Sequence, residues 1–201
     1  QRDGYRWLRT LDGYGMGGIL ADDMGLGKTV QVLSYLLAMK ESGQRLPSLI
    51  VCPASLVLNW QEECQKFTPQ LQSVAMDGDA AHRAALVDGW AQADLVITSY
   101  DLLRRDEKLY AGQSFYACIL DEAQAIKNHT TQKYKAVCRV NSRVRFALTG
   151  TPVENRLGEL WSIFSFLMPG YLPPYKTFCA RFEKPIVQDE DANAVRRLNQ
   201  L

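Results

Sequence analysis

The sequence predicts an α/β fold: a mostly parallel sheet with helices on both faces, followed by a helical C-terminal extension. Three observations predict it. Short apolar runs at residues 18–21, 49–52, 95–98, 115–120 and 144–148 alternate with helix-periodic segments, as expected of buried parallel strands joined by crossover helices. A glycine-rich loop, Asp22-Asp23-Met24-Gly25-Leu26-Gly27-Lys28-Thr29, separates the first run from the first long helix. Two acids, Asp121 and Glu122, end the most strand-like run, on the side where open α/β sheets hold ligands.

Residues 1–11 read as a short helix anchored by Tyr5, Trp7 and Leu8, and the glycines of residues 12–18 form a turn region leading into the first strand. The helix over residues 28–40 is apolar nearly all round, so it lies buried against the sheet. After the strand at 49–52, Pro53-Ala54-Ser55 opens a helix whose apolar face is Leu56, Trp60, Cys64 and Phe67. That spacing makes Trp60 a core residue rather than a base-stacking platform, and Thr68-Pro69 ends the helix. A short strand at 73–76, the Asp77-Gly78 turn and a helix over 80–90 carrying a solvated His82 lead to the strand at 95–98. Ser99-Tyr100-Asp101 and a charged segment precede the strand at 115–120. A helix over 131–139 and the strand at 144–148 follow. Thr151-Pro152-Val153-Glu154 fits a capping box with proline at the first helical position. Beyond it, Leu160, Trp161, Phe164 and Met168 share a helical face that Pro169-Gly170 stops. Residues 1–170 thus form the sheet-bearing lobe. Residues 171–201 form a strand-free extension with a last stripe of Val195, Leu198 and Leu201.

At 201 residues and 47% hydrophobic content, the chain can bury one full core, at most a domain with an appendage. A net charge of +1 excludes a global basic field. Residues 123–153, however, carry six bases (Lys127, Lys133, Lys135, Arg139, Arg143, Arg145) and no acid. They fit either a solvated face or contact with a phosphate backbone. Five scattered cysteines without C-x-x-C spacing argue for a reducing, intracellular setting and against zinc. No signal peptide or bilayer-length apolar run is present, and the chain reads as a piece of something larger.

The glycine loop carries the first chemistry. Between strand and helix it aims backbone N–H groups at one point, where the helix dipole adds positive charge. Lys28 would meet β/γ-phosphate charge, and Thr29 would supply a hydroxyl to Mg²⁺. Asp121 could then hold Mg²⁺, and Glu122 could orient or deprotonate an attacking water. The bland account of the two acids is a helix N-terminal cap.

Taken in order, the loop, Cys52-Pro53-Ala54-Ser55-Leu56 with Asn59-Trp60, Thr98-Ser99-Tyr100, Asp121-Glu122-Ala123-Gln124, Leu148-Thr149-Gly150-Thr151-Pro152 and Glu159-Leu160-Trp161 resemble the first RecA-like lobe of the Swi/Snf-type family of helicase-like, DNA-translocating ATPases. The resemblance implies ATP and Mg²⁺ as ligands, with Gly25, Leu26, Gly27 and Lys28 on the phosphates and Gln1 near adenine. Thr29 and Asp121 would hold the metal, Glu122 would activate water, and Thr149 and Thr151 would couple the site to a second RecA-like lobe. Pro53, Ala54, Ser55, Ser99 and Tyr100 would lie along the backbone of double-stranded DNA. Asp22 departs from the general phosphate-loop pattern but suits this family, and the carboxylates of Asp22 and Asp23 are expected to point away from the phosphates. Gln124 stands where the family often has histidine, although an amide can still hydrogen-bond. Without a second lobe and its arginine, worth ~10³–10⁵ in rate, the chain alone would hydrolyse ATP very slowly. A strand-separating helicase and an ATP-gated binding module without significant hydrolysis remain the alternative readings.

Overall fold

The structure, a computed structural model, describes residues 1–21, 27–150 and 157–200. Six strands form one sheet: β1 (Gly18–Leu20), β2 (Ser48–Cys52), β3 (Ser73–Ala75), β4 (Leu95–Ser99), β5 (Ser114–Leu120) and β6 (Asn141–Leu148). Their order is β1-β6-β5-β2-β4-β3, and every neighbouring pair is parallel. All carboxyl ends therefore emerge along one edge. The helices of the lobe are α1 (Arg2–Gly13), α2 (Lys28–Glu41), α3 (Val57–Phe67), α4 (Ala80–Leu86), α5 (Tyr100–Arg105), α6 (Glu107–Tyr110), α7 (Gln132–Arg139) and α8 (Leu157–Leu167). Strand alternation feeds two cores. Ile50 and Cys52 join Leu8, Leu33 and Trp60 from α1–α3 on one face, while Leu49 and Val51 join Leu103, Val137 and Phe166 from α5, α7 and α8 on the other. The doubly covered sheet is the predicted architecture. Among the described residues, no helix is long and apolar enough to cross a membrane.

Local differences from the sequence reading have physical causes. The chain leaves β2 through a 3₁₀ turn at Ala54–Leu56 before α3 begins, because Pro53 sits in extended backbone. Phe67, expected on the buried face of α3, is 45% exposed. It is the last helical residue, and the chain leaves the helix axis at Thr68, whose hydroxyl bonds the Cys64 carbonyl. The charged segment at residues 104–108 spans the end of α5 and the start of α6, held by a buried Arg83–Asp106 ion pair. The helix expected over 80–90 is α only to Leu86 and tightens to 3₁₀ at Val87–Gly89. On α8 the face against the sheet is Ile163, Phe166 and Leu167. Leu160, Phe164 and Met168 instead face an apolar groove shared with Ile186, Val195 and Leu198 of the extension. A helix apolar all round does not show in sequence which side meets the sheet.

The extension continues through α9 (Tyr175–Phe178), a π-helical turn (Cys179–Glu183), α10 (Lys184–Gln188) and α11 (Ala192–Leu198). It packs on α8 so closely that a Cβ on Gly158 would lie 3.0 Å from the Tyr175 hydroxyl.

Most of the basic stretch lies at the surface with a partner beside each side chain. Lys127 pairs with Glu159, Lys133 with Asp101 and Arg139 with Glu107, and Arg143 stacks on Tyr116. Arg145 donates to the carbonyls of Phe166 (3.0 Å) and Val140 (2.8 Å), tying the ends of α7 and α8 to β6. Lys135 remains on the exposed side of α7. Gly17 lies beside this clamp, and a Cβ there would fall 2.5 Å from the Leu167 carbonyl oxygen and 2.6 Å from that of Arg145. Both obstacles are backbone. Gly17→Ala is therefore expected to destabilise the lobe by about 1–3 kcal/mol through overpacking, read as a lower urea midpoint. An unchanged midpoint would show that the two carbonyls can part freely.

Candidate functional site

The parallel order lays the sequence-predicted residues out in a row. The carboxyl ends run from Ala21 after β1, through Thr149 after β6 and Asp121 after β5, to Pro53 after β2 and Ser99 at the end of β4. Lys28 opens α2, preceded by Gly27 at φ +78°, a left-handed backbone that glycine adopts without Cβ strain. A Cβ on Gly27 would also lie 2.5 Å from Nε2 of Gln1, so the Gln1 amide covers the start of α2. From there a cleft of about 410 Å³ continues between α1 and α2, lined by Gln1, Arg2, Val30, Ser34 and the exposed ring of Phe67. Asp22, Asp23, Gly25, Leu26 and Thr151 lie outside the described residues.

Asp121 is 9% exposed, and both carboxylate oxygens are engaged. Oδ2 accepts from the Trp60 indole N–H at 2.9 Å, and Oδ1 from the Glu122 backbone N–H at 2.9 Å. Its own carbonyl accepts from the Tyr100 hydroxyl at 2.8 Å. Burial pushes the Asp121 pKa above the usual carboxylate value; the two hydrogen bonds oppose the shift, the Glu122 charge adds to it, and the nearby Lys28 ammonium opposes it.

Glu122 departs from the strand with φ +50° and ψ +55°, left-handed for a residue with a side chain. Such backbone stores about 1–3 kcal/mol and persists where the surroundings enforce it. Neither acid caps the following 3₁₀ turn through its side chain, contrary to the bland account. Instead a hydrogen-bond chain forms: Thr149 Oγ1 donates to Gln124 Oε1 at 3.2 Å, and Gln124 Nε2 donates to Glu122 Oε2 at 2.6 Å. The amide makes the link between the ends of β5 and β6 for which the Swi/Snf-type pattern often uses histidine.

The segments assigned to DNA divide. Ala54 and Ser55 are exposed on the turn after β2, with Pro53 half-buried. Ser99 and Tyr100 are 2% and 3% exposed. The Ser99 hydroxyl caps α5 by accepting from the Leu102 N–H, and Tyr100 is committed to Asp121. Sequence periodicity placed Trp60 in the core, where it is, but could not show its partner. The available signal was chemical: a buried indole N–H needs an acceptor.

A glycine-turned helix start bearing a lysine after β1, with a buried carboxylate and a second acid two strands along the sheet after β5, is the layout of a RecA-like lobe. The SNF2-related domain family matches residues 1–201, and the chain belongs to that family. It is 42% identical over 198 residues to the TATA-binding protein-associated factor mot1 of Aspergillus fumigatus, covering 92% of this chain and 10% of that protein. It is 44% identical over 185 residues to an uncharacterized ATP-dependent helicase of Mycoplasma pneumoniae, covering 92% of this chain and 18% of the relative. The fold superposes with TM-score 0.90 on the SWI2/SNF2 ATPase core of Sulfolobus solfataricus in complex with dsDNA, at 39% identity, covering 98% of this chain and 41% of that one. The chain thus spans a small part of its curated relatives and under half of the archaeal core.

A carboxyl whose folded pKa is raised binds its proton more tightly in the folded state. It favours folding below its unfolded pKa of about 3.9, and that contribution is lost as pH rises through the folded value. Relative to Asp121→Asn, whose side chain does not titrate, ligand-free wild type is therefore expected to gain stability as pH falls from 7 to about 3, as measured by urea midpoints across that range.

Proposed function

We propose that the chain is the ATP- and Mg²⁺-binding motor lobe of a DNA-stimulated ATPase. With a second RecA-like lobe, it would translocate along double-stranded DNA and remodel protein–DNA complexes. The observation that carries this reading is the intact hydrogen-bond chain Glu122–Gln124–Thr149 beside Asp121 and Lys28, an arrangement equipped for turnover rather than binding alone.

In this reading Gly25, Leu26, Gly27 and Lys28 bind the phosphates, and Gln1 with its cleft receives the adenine side. Thr29 and Asp121 suit Mg²⁺: both offer hard oxygen donors, and Mg²⁺ binds through few protein ligands plus phosphate oxygens. The ion would neutralise charge developing on the transferred phosphoryl group. Glu122 orients and deprotonates the attacking water, while Thr149 and Thr151 pass the state of the site to the second lobe. Pro53, Ala54 and Ser55 present an exposed turn to a DNA backbone. At Ser99 and Tyr100 any such contact is made by backbone, since both side chains are occupied. The archaeal core's duplex complex supports DNA as the partner of this row of strand ends. Alone, lacking an arginine from the second lobe, the chain hydrolyses ATP slowly. Residues 1–170 form the lobe, with 171–201 leading toward its partner. The setting is intracellular, cytoplasm and nucleoid or, in a eukaryote, the nucleus.

A strand-separating helicase shares all of these parts. Displacement of a third strand from triplex DNA without unwinding of an ordinary duplex separates translocation from it. In the parent protein, Lys28→Ala should abolish nucleotide binding. Glu122→Gln should keep binding and lose about 10²–10⁴-fold in turnover, measured by phosphate release with and without duplex DNA. Full DNA-stimulated turnover in Glu122→Gln would remove Glu122 as the base. Turnover near zero in the DNA-bound wild type would favour an ATP-gated binding module.

A further inference from the structure

Asp121 sits at the centre of the row, with the phosphate-loop side to one flank and the ends of β2 and β4 to the other. Each of those two ends sends one buried donor to it. The exposed Ala54–Leu56 turn opens directly into α3, whose Trp60 is 1% exposed and gives its indole N–H to Asp121 Oδ2 at 2.9 Å. The last residue of β4, Ser99, caps α5, whose first residue Tyr100 gives its hydroxyl to the Asp121 carbonyl at 2.8 Å. One donor fixes the carboxylate and the other the backbone of the same residue. Neither side chain is placed to meet nucleotide or DNA.

We propose that Trp60 and Tyr100 are positioning residues through which DNA at the ends of β2 and β4 sets Asp121, coupling DNA occupancy to turnover. This rests on the reading of the chain as a DNA-stimulated ATPase lobe. Packed interiors transmit displacement instead of absorbing it, so fixing the turn and the start of α5 fixes the two donors. A reacting centre misplaced by 1 Å can lose about 10² in rate, which makes small adjustments of a magnesium-holding carboxylate an effective control. A purely structural indole or hydroxyl would be equally served by any buried carbonyl. Here two separate elements converge on the one residue between them.

The test uses the full parent protein with both lobes and compares wild type with Trp60→Phe, Tyr100→Phe and the double variant. Three quantities are measured: ATP turnover with and without saturating duplex DNA, DNA affinity by anisotropy, and affinity for a fluorescent ATP analogue. The coupling predicts that the ratio of DNA-stimulated to basal turnover falls at least about five-fold in the double variant, with DNA affinity changed less than about two-fold. A retained ratio overturns the proposal whatever happens to thermal stability, because the ratio is taken within each protein. A lost ratio matched by an equal loss of DNA affinity also overturns it, since the residues would then serve the DNA surface itself. Tyr100→Phe keeps the ring and decides the question alone if Trp60→Phe does not fold. A wild type unstimulated by DNA removes both the coupling and the reading beneath it, whereas a stimulated wild type with stimulated variants removes only the coupling.

Discussion

A carboxylate withdrawn from water at the end of a buried strand governs the arrangement around it. Asp121 is held in place by donors from α3, from its own following residue and, through its carbonyl, from α5. An unpaired carboxylate at this depth would be expelled or protonated. Its partners must therefore arrive from different elements at the same point, which ties the positions of α3 and α5 to the end of β5. Even so, the compensation is partial, as its upward-shifted pKa shows. Natural proteins often carry such local instability at functional sites.

The sheet order turns that local demand into a layout. With all strands parallel, chemistry separated widely in sequence lines up along one edge: Lys28, Thr149, Asp121 and Ser55 follow one another across the ends of four strands or their following loops. Crossover helices on both faces leave that edge clear, the usual location of ligands in open α/β sheets. Membership of the SNF2-related domain family and the close superposition on an archaeal SWI2/SNF2 core agree with this layout.

Much of it was legible in the sequence because the controlling signals are local. Continuous apolar runs mark strands buried on both faces, and the Gly27-Lys28 step marks the start of the first long helix of the sheet-bearing part. What was not legible depends on three-dimensional partners. The spacing of Trp60 identifies its face but not the carboxylate it meets across 61 residues of sequence. The Swi/Snf-type resemblance puts Tyr100 along a DNA backbone, yet its hydroxyl turns inward. Phe67 continued an apolar stripe but falls where the helix ends, so the stripe runs out into a cleft. Four of the bases between residues 123 and 153 (Lys127, Lys133, Arg139 and Arg143) do lie on a solvated surface with Glu159, Asp101, Glu107 and Tyr116 beside them, whereas Arg145 is a clamp on main-chain carbonyls, a distinction that only the fold reveals.

The position of β6 also bears on how the lobe is made. Among the described residues β1 pairs with β6 alone, Gly18 against Phe146, and β6 inserts between β1 and β5. A chain emerging from the ribosome can assemble β5, β2, β4 and β3 as soon as β5 is available, but β1 must wait for the last strand. The segment that leads into the glycine loop is thus synthesised well before the strand it pairs with. Until then its apolar edge is a surface for chaperones or for mispairing, as expected where sheets close through distant contacts. Substitutions that slow the docking of β6 would reduce the yield of nucleotide-competent lobes during synthesis more than they weaken the finished fold.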